Sequence, residues 1–417
     1  MKKGTLLLIA ICLVMDSMIH AQTFSIIIKS GHVINPKNNI DELTDIALKD
    51  GKIALVARNI DAKQGIQVVN AKGLYVTPGL IDMHVHVYYG SNVDQEYMNG
   101  PNSVVPDGFT FRTGVTTVVD AGSAGWRTFP AFKRQIIDQS QTRVLAFLNI
   151  VGEGMRGDPF EQNLKDMDSK ATAEFVIKNS RDIVGIKLAH FSGPDWKPTD
   201  LAVEAGKLAN VPVMIDFGVS DPPLSIEELF MKHLRPEDIF THCYAQLASG
   251  REYIVDPMTA RVKPFVWEAI KRGLIFDVGY GGISFAFSQG VPAIKSGLYP
   301  HVISTDLHIG SMNGAMKDLP TTMSKFLAMG MDLPSVVKAC TLVPARIIKR
   351  KELGDLSVGS DADIAILNLR KGRFGLFDHT GYKINTDSKL ECEMTIRGGK
   401  IVYDLNGIAN PITVVRR

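Results

Sequence analysis

Between residues 79 and 350 the chain repeats one unit: a short run rich in β-branched and apolar residues, then a spacer of helical character. Eight runs occur: Gly79 to Val87, Thr116 to Asp120, Val144 to Ile150, Val184 to Leu188, Val211 to Phe217, Ile239 to Cys243, Leu274 to Val278 and His301 to Asp306. Spacers such as Asp200 to Ala209 and Pro264 to Arg272 separate them. Strands that alternate with helices run parallel, because each helix returns the chain to the same end of the sheet. Eight such units predict a closed (β/α)8 barrel of the TIM type. The rival is an open doubly wound sheet, whose first strand would feed a glycine-rich phosphate loop; none follows the first run.

The flanks have a different grammar. Phe24 to Lys29, Gly31 to Ile34, Asp45 to Lys49 and Lys52 to Val56 are strand-like, and Asp50-Gly51 between the last two is a hairpin signal. At the other end Asp363 to Leu367 and Met394 to Arg397 are strand-like, with a Gly398-Gly399 turn before Lys400 to Tyr403. A length of 417 residues suits a large domain plus a smaller module. The expected plan is a barrel over 79–350 and a small β-sandwich domain built from both chain ends, 22–78 and 351–417.

The first 21 residues read as a signal peptide. Lys2 and Lys3 precede an apolar run from Leu6 to Met15, and small Ala21 precedes Gln22. The run is too short to span a bilayer comfortably, and no later stretch is long and apolar enough. The expectation is a secreted or periplasmic protein with no membrane span after cleavage. Cleavage leaves Cys243, Cys340 and Cys392, too few and odd in number for a disulfide framework. Charge excludes another class: 46 basic against 44 acidic residues give a net charge of +2, with no basic stripe for nucleic acid.

In such barrels chemistry gathers at the C-terminal strand ends. The first run ends Asp82-Met83-His84-Val85-His86. Side chains two apart in a strand share a face, so His84 and His86 can aim at one point and form a zinc-type site. Lys187 lies inside an apolar strand, where an ammonium is costly; it either reaches solvent or has a lowered pKa. His242 ends the sixth run and Asp306 the eighth. An aspartate there could ligate metal, act as a base or cap a helix.

Together these stretches resemble the amidohydrolase superfamily, in its deacetylase or dihydroorotase-like branch. The resemblance spans residues 25 to 405. It is carried by Val76 to His86, Gly114 to Ser123, Thr241-His242-Cys243, Ser304 to His308, Pro344-Ala345-Arg346 and Gly354 to Asp363. It implies that His84, His86 and Asp306 hold a first divalent metal, expected to be zinc, and His242 a second. It also implies that Lys187 carries CO2 as a carbamate bridging both. Asp306 would be the catalytic residue, taking a proton from the attacking water and passing it to the leaving group.

This sequence departs from the pattern twice. Asp216 stands where the family carries a second-metal histidine after the fifth strand. A carboxylate can ligate zinc, so either Asp216 holds the second ion or the site is mononuclear. After Asp277-Val278-Gly279, Tyr280 replaces a histidine near the substrate. Tyr280, His308 and Arg112 are the candidate substrate-binding residues, Arg112 because guanidinium pairs a carboxylate bidentately. Cys243 should point away from the metal, and His190 and His301 read as structural.

The function expected is metal-dependent hydrolysis of an amide (N-acyl) or ester bond in a small molecule. The alternatives are a cyclic amidase of dihydroorotase type, a lactonase, or a barrel that lost catalysis and only binds. A homo-oligomer stays open.

Overall fold

The computed structural model describes residues 23–90, 102–216, 220, 222–247 and 251–413. The signal peptide expected over 1–21 lies outside them.

Seven parallel strands form one sheet in strict chain order: Leu80–Val85, Val115–Gly125, Arg143–Asn149, Ile183–Leu188, Val213–Ile215, Ile239–Phe240 and Ile275–Phe276. Each matches one of the predicted runs. The eighth run makes no regular ladder. It bridges both sheet edges instead, Val302 to Asp277 and Leu307 to Val85, each in parallel sense. Its backbone exchanges hydrogen bonds with both neighbours: Val278 N donates to Val302 O (3.0 Å), and His86 N to Leu307 O (2.9 Å). The sheet therefore closes on itself as a TIM-type barrel, with this segment as its seam.

Helices cover the outside as their periodicity requires. Lys197–Ala209 buries Thr199, Ala202, Ala205 and Gly206, positions that share one helix face. Pro198 opens it and left-handed Asn210 (φ 53°) ends it. Gly206 has no alternative there, since a Cβ would meet Val213 Cγ2 at 2.4 Å.

Strands from before residue 79 and after residue 363 join one nine-stranded sheet. The junction is antiparallel, Tyr75–Pro78 against Ile364 to Leu367. Both predicted hairpin turns are present: Asp50-Gly51 (φ 51° and 74°) and Gly398-Gly399 (φ 55° and 75°) put two residues in the left-handed region, as a type I′ turn needs. The two N-terminal runs are one strand, Phe24–Asn35, with an irregularity after Ile28 where Ser30 takes φ 59°. This sheet has its own buried cluster, including Ile26, Ile46, Val76, Ile366 and Met394. Cys243, Cys340 and Cys392 are free and buried. Among the described residues no helix is long and apolar enough to cross a membrane.

Candidate metal centre

Residues from five strand ends meet in the barrel mouth. His84 Nε2 lies 3.6 Å and His86 Nε2 3.0 Å from Asp306 Oδ1. His242 Nε2 lies 3.3 Å from Asp216 Oδ2, and Lys187 Nζ 3.8 Å from the same oxygen. Lys187 Nζ is also 3.4 Å from His84 Nε2. Ligand atoms of His84, His242 and Asp306 all lie within 4.8 Å of one another. Thus all six sequence-predicted metal residues (His84, His86, Lys187, Asp216, His242, Asp306) are brought together.

Strand alternation alone would not do this. His190, His242 and Asp306 have φ of 56°, 54° and 50°, a region costly for non-glycine residues. Each turns the chain sharply where its strand ends. Gly122 clears space for Lys187: a Cβ at this left-handed position (φ 88°) would sit 2.6 Å from the lysine Cβ and Cγ.

Hydrogen bonds behind the imidazoles fix which nitrogen faces the mouth. His242 Nδ1 donates to Gly279 O (2.5 Å), leaving Nε2 as the lone-pair atom. His84 Nδ1 faces Thr241 Oγ1 at 3.0 Å, and that hydroxyl donates to Asp277 Oδ2 at 2.6 Å. His86 Nδ1 meets Ser123 Oγ at 3.1 Å. Thr241, Asp277 and Ser123 were not singled out in the sequence; short polar side chains beside candidate ligands are the signal that could have found them.

Electrostatics favour cation binding. Burial, with Lys187 nearby, pulls His84 down to about 4, so its imidazole is neutral. Burial lowers Lys187 as well. Burial would raise the Asp306 carboxyl, but His84 and His86 beside it outweigh that and hold it below the usual carboxylate range. Imidazole nitrogens and carboxylate oxygens around one point are the donor set a zinc-like divalent ion takes, so the residues fit the metal.

Above the donors opens a cavity of about 690 Å³. His308 lines it. The other two substrate-binding expectations need correction. Arg112 is exposed on a 3₁₀ turn, Thr110–Thr113, that precedes the second barrel strand and so sits at the opposite end of the barrel. Tyr280 is buried at 1% exposure and turns outward: its ring stacks on Phe285 and its hydroxyl accepts from Lys325 Nζ at 2.6 Å. The cause is the pair of left-handed glycines around it, Gly279 (φ 44°) and Gly281 (φ 61°), which break the strand alternation. A Cβ on Gly281 would meet Asp306 Oδ2 at 2.6 Å, so backbone, not the tyrosine ring, borders the mouth.

Conversely, His190, Glu161 and Arg251 line the cavity. His190 was read as structural. His301 does have that role, its Nδ1 accepting from Phe276 N at 3.0 Å. Cys243 packs in the main core, as expected from alternation.

Comparison with known proteins follows the same lines. The pattern of the Amidohydrolase family matches residues 290–402. A deacetylase of Brucella anthropi is 36% identical over 337 residues, covering 79% of this chain and 80% of that protein. The crystal structure of an adenine deaminase superposes with a TM-score of 0.80 at 29% identity, covering 91% of this chain and 100% of that one. That of a dihydroorotase gives 0.77 at 31% identity, covering 91% and 99%.

Proposed function

The chain belongs to the amidohydrolase family and is a metal-dependent hydrolase of amide bonds; from that premise we propose that it deacylates an N-acylated small molecule. The observation that carries this reading is the convergence of His84, His242 and Asp306 within 4.8 Å beneath a cavity of about 690 Å³. The 36% identity to a deacetylase supports the choice of an acyclic amide.

His84, His86 and Asp306 would hold one ion, with Asp216 and His242 at a second. Zinc suits the nitrogen and oxygen donors. When bound, the metal supplies a water acidic enough to be deprotonated near neutral pH and polarises the substrate carbonyl. Asp306 would accept a proton from the attacking water as the water oxygen bonds to the carbonyl carbon. The C–N bond then breaks, and Asp306 returns the proton to the leaving nitrogen. Lys187, fully buried and with burial lowering its pKa, would take up CO2 as a carbamate, releasing one proton and gaining a single negative charge shared by two oxygens. His308 is placed on the cavity wall to contact substrate.

A second reading is ring opening of a cyclic amide, supported by the likeness to a dihydroorotase at 31% identity. Purified protein reconstituted with zinc and offered N-acyl amino acids, acyl esters, lactones and cyclic amides separates them. Metal-dependent release of a free acid from the N-acyl series is expected. Turnover of cyclic amides alone would select the second reading, and no turnover of any class would refute hydrolysis of such substrates.

We further infer export, with cleavage after Ala21, on the strength of the Lys2-Lys3 start and the apolar run. N-terminal sequencing of the mature protein should begin at Gln22. The nine-stranded sheet, with its separate buried cluster, is inferred to be a small module spanning 22–78 and 351–417.

A further inference from the structure

We propose that His190 is a metal ligand: its Nε2, with Asp216 Oδ2 and His242 Nε2, completes the protein donors of a second divalent cation, and Glu161 positions it.

The argument starts from the backbone. His190 follows the fourth barrel strand by two residues and takes φ 56°, a left-handed turn uncommon outside glycine. That turn aims the ring into the cavity. There Nε2 lies 3.6 Å from Asp216 Oδ2, the same oxygen that His242 Nε2 approaches to 3.3 Å. Two imidazole nitrogens thus face one carboxylate oxygen from opposite elements.

The other ring nitrogen is committed. His190 Nδ1 lies 3.1 Å from Glu161 Oε1. A carboxylate only accepts, so Nδ1 carries the proton and Nε2 is the ring atom left to face the other donors. Glu161 is itself fixed: it is 1% exposed, and its Oε2 accepts from Gly157 N at 2.8 Å. A buried carboxylate donating order to a histidine whose far nitrogen faces other donors is the arrangement that orients metal-bound imidazoles. The His190 side chain retains 32% exposure, so it has room to close the last ångström toward a cation.

The competing arrangement is an imidazolium bridging Glu161 and Asp216 with no ion between. Metal counting separates the two. This inference rests on the proposal that the mouth holds divalent metal, and the test distinguishes the two failures. Full-length protein, His190→Asn and Glu161→Gln are equilibrated with zinc, desalted, and their metal content measured by plasma emission. The unaltered chain should retain about two ions and His190→Asn about one. Glu161→Gln should keep both at saturating zinc but bind the weaker one about 10–100-fold less tightly in a chelator competition. Equal counts and affinities in His190→Asn, or a single ion in the unaltered chain, overturn the assignment of His190 and leave the hydrolase reading intact. No ion at all in the unaltered chain defeats the metal reading beneath it. Should His190→Asn lose its near-ultraviolet circular dichroism, Glu161→Gln decides alone, and unchanged affinity there also overturns the proposal.

Discussion

Asp306 combines two demands on one side chain. Its Oδ1 lies 3.0 Å from His86 Nε2, among the donors, while the carboxylate also borders the cavity where substrate would sit. Asp306→Asn keeps the shape and an oxygen donor but cannot shuttle a proton. We expect kcat to fall by about 10²–10⁴-fold with metal content nearly unchanged. Steady-state kinetics beside metal analysis checks this; normal turnover would remove Asp306 from its catalytic role. At this scale the sequence was legible where periodicity applies. His84 and His86 follow from two-residue alternation, and Lys187 from the cost of an amine in an apolar strand. The outward turn of Tyr280 and the place of His190 on the cavity wall were not legible because both lie past the strand, where left-handed backbone at His190, Gly279 and Gly281 redirects side chains. No periodicity reports on those turns.

Among the elements, helix Leu319–Met329 is tied to the long strand Ile364–Phe377 through one buried amine. Lys325, 1% exposed, donates to Ala315 O (2.6 Å), Phe377 O (2.9 Å) and the Tyr280 hydroxyl (2.6 Å). Burial lowers its pKa from 10.5 to about 7. Between those values the unfolded chain binds the proton and the folded chain increasingly does not, so folding stability rises with pH across the window. The slope approaches about 1.4 kcal/mol per pH unit in its middle. Lys325→Met lacks this term. Thermal melts at pH 7.5 and 9.5 should therefore show the natural protein gaining stability relative to the variant at the higher pH. A constant difference would mean that Lys325 does not titrate there. The sequence offers no hint of this contact, because it depends on a hairpin more than 50 residues downstream meeting the helix. The strands themselves were readable: seven of eight appear as ladders, and the eighth run fails to form one because it turns at Asp306 to serve the site.

For the whole molecule, the two chain ends depend on each other. Ile364 to Leu367 supply the only described ladder on one side of Tyr75–Pro78, and Arg143 on the third barrel strand reaches Asp361 (2.7 Å) and Asp363 (2.6 Å) across the junction. A chain ending at residue 363 would bare that strand edge and the apolar cluster behind it. It should elute from size exclusion as aggregate and show no cooperative melt; a monomeric, cooperatively folding fragment would contradict the sheet's role. Turn chemistry at Asp50-Gly51 and Gly398-Gly399 announced strands at both ends, but no local signal says that Tyr75–Pro78 pairs with a partner nearly 290 residues away.

The seam of the barrel has a consequence for biosynthesis. Donors begin at His84, yet the segment that joins the first and seventh strands runs through Leu307, and residues after 363 must still seat against the N-terminal edge. A ribosome-bound chain that has not yet released these stretches has neither a closed mouth nor the carboxylate proposed to carry the proton. On the proposed mechanism, hydrolysis would wait until the seam and the strands that seat after it have left the ribosome.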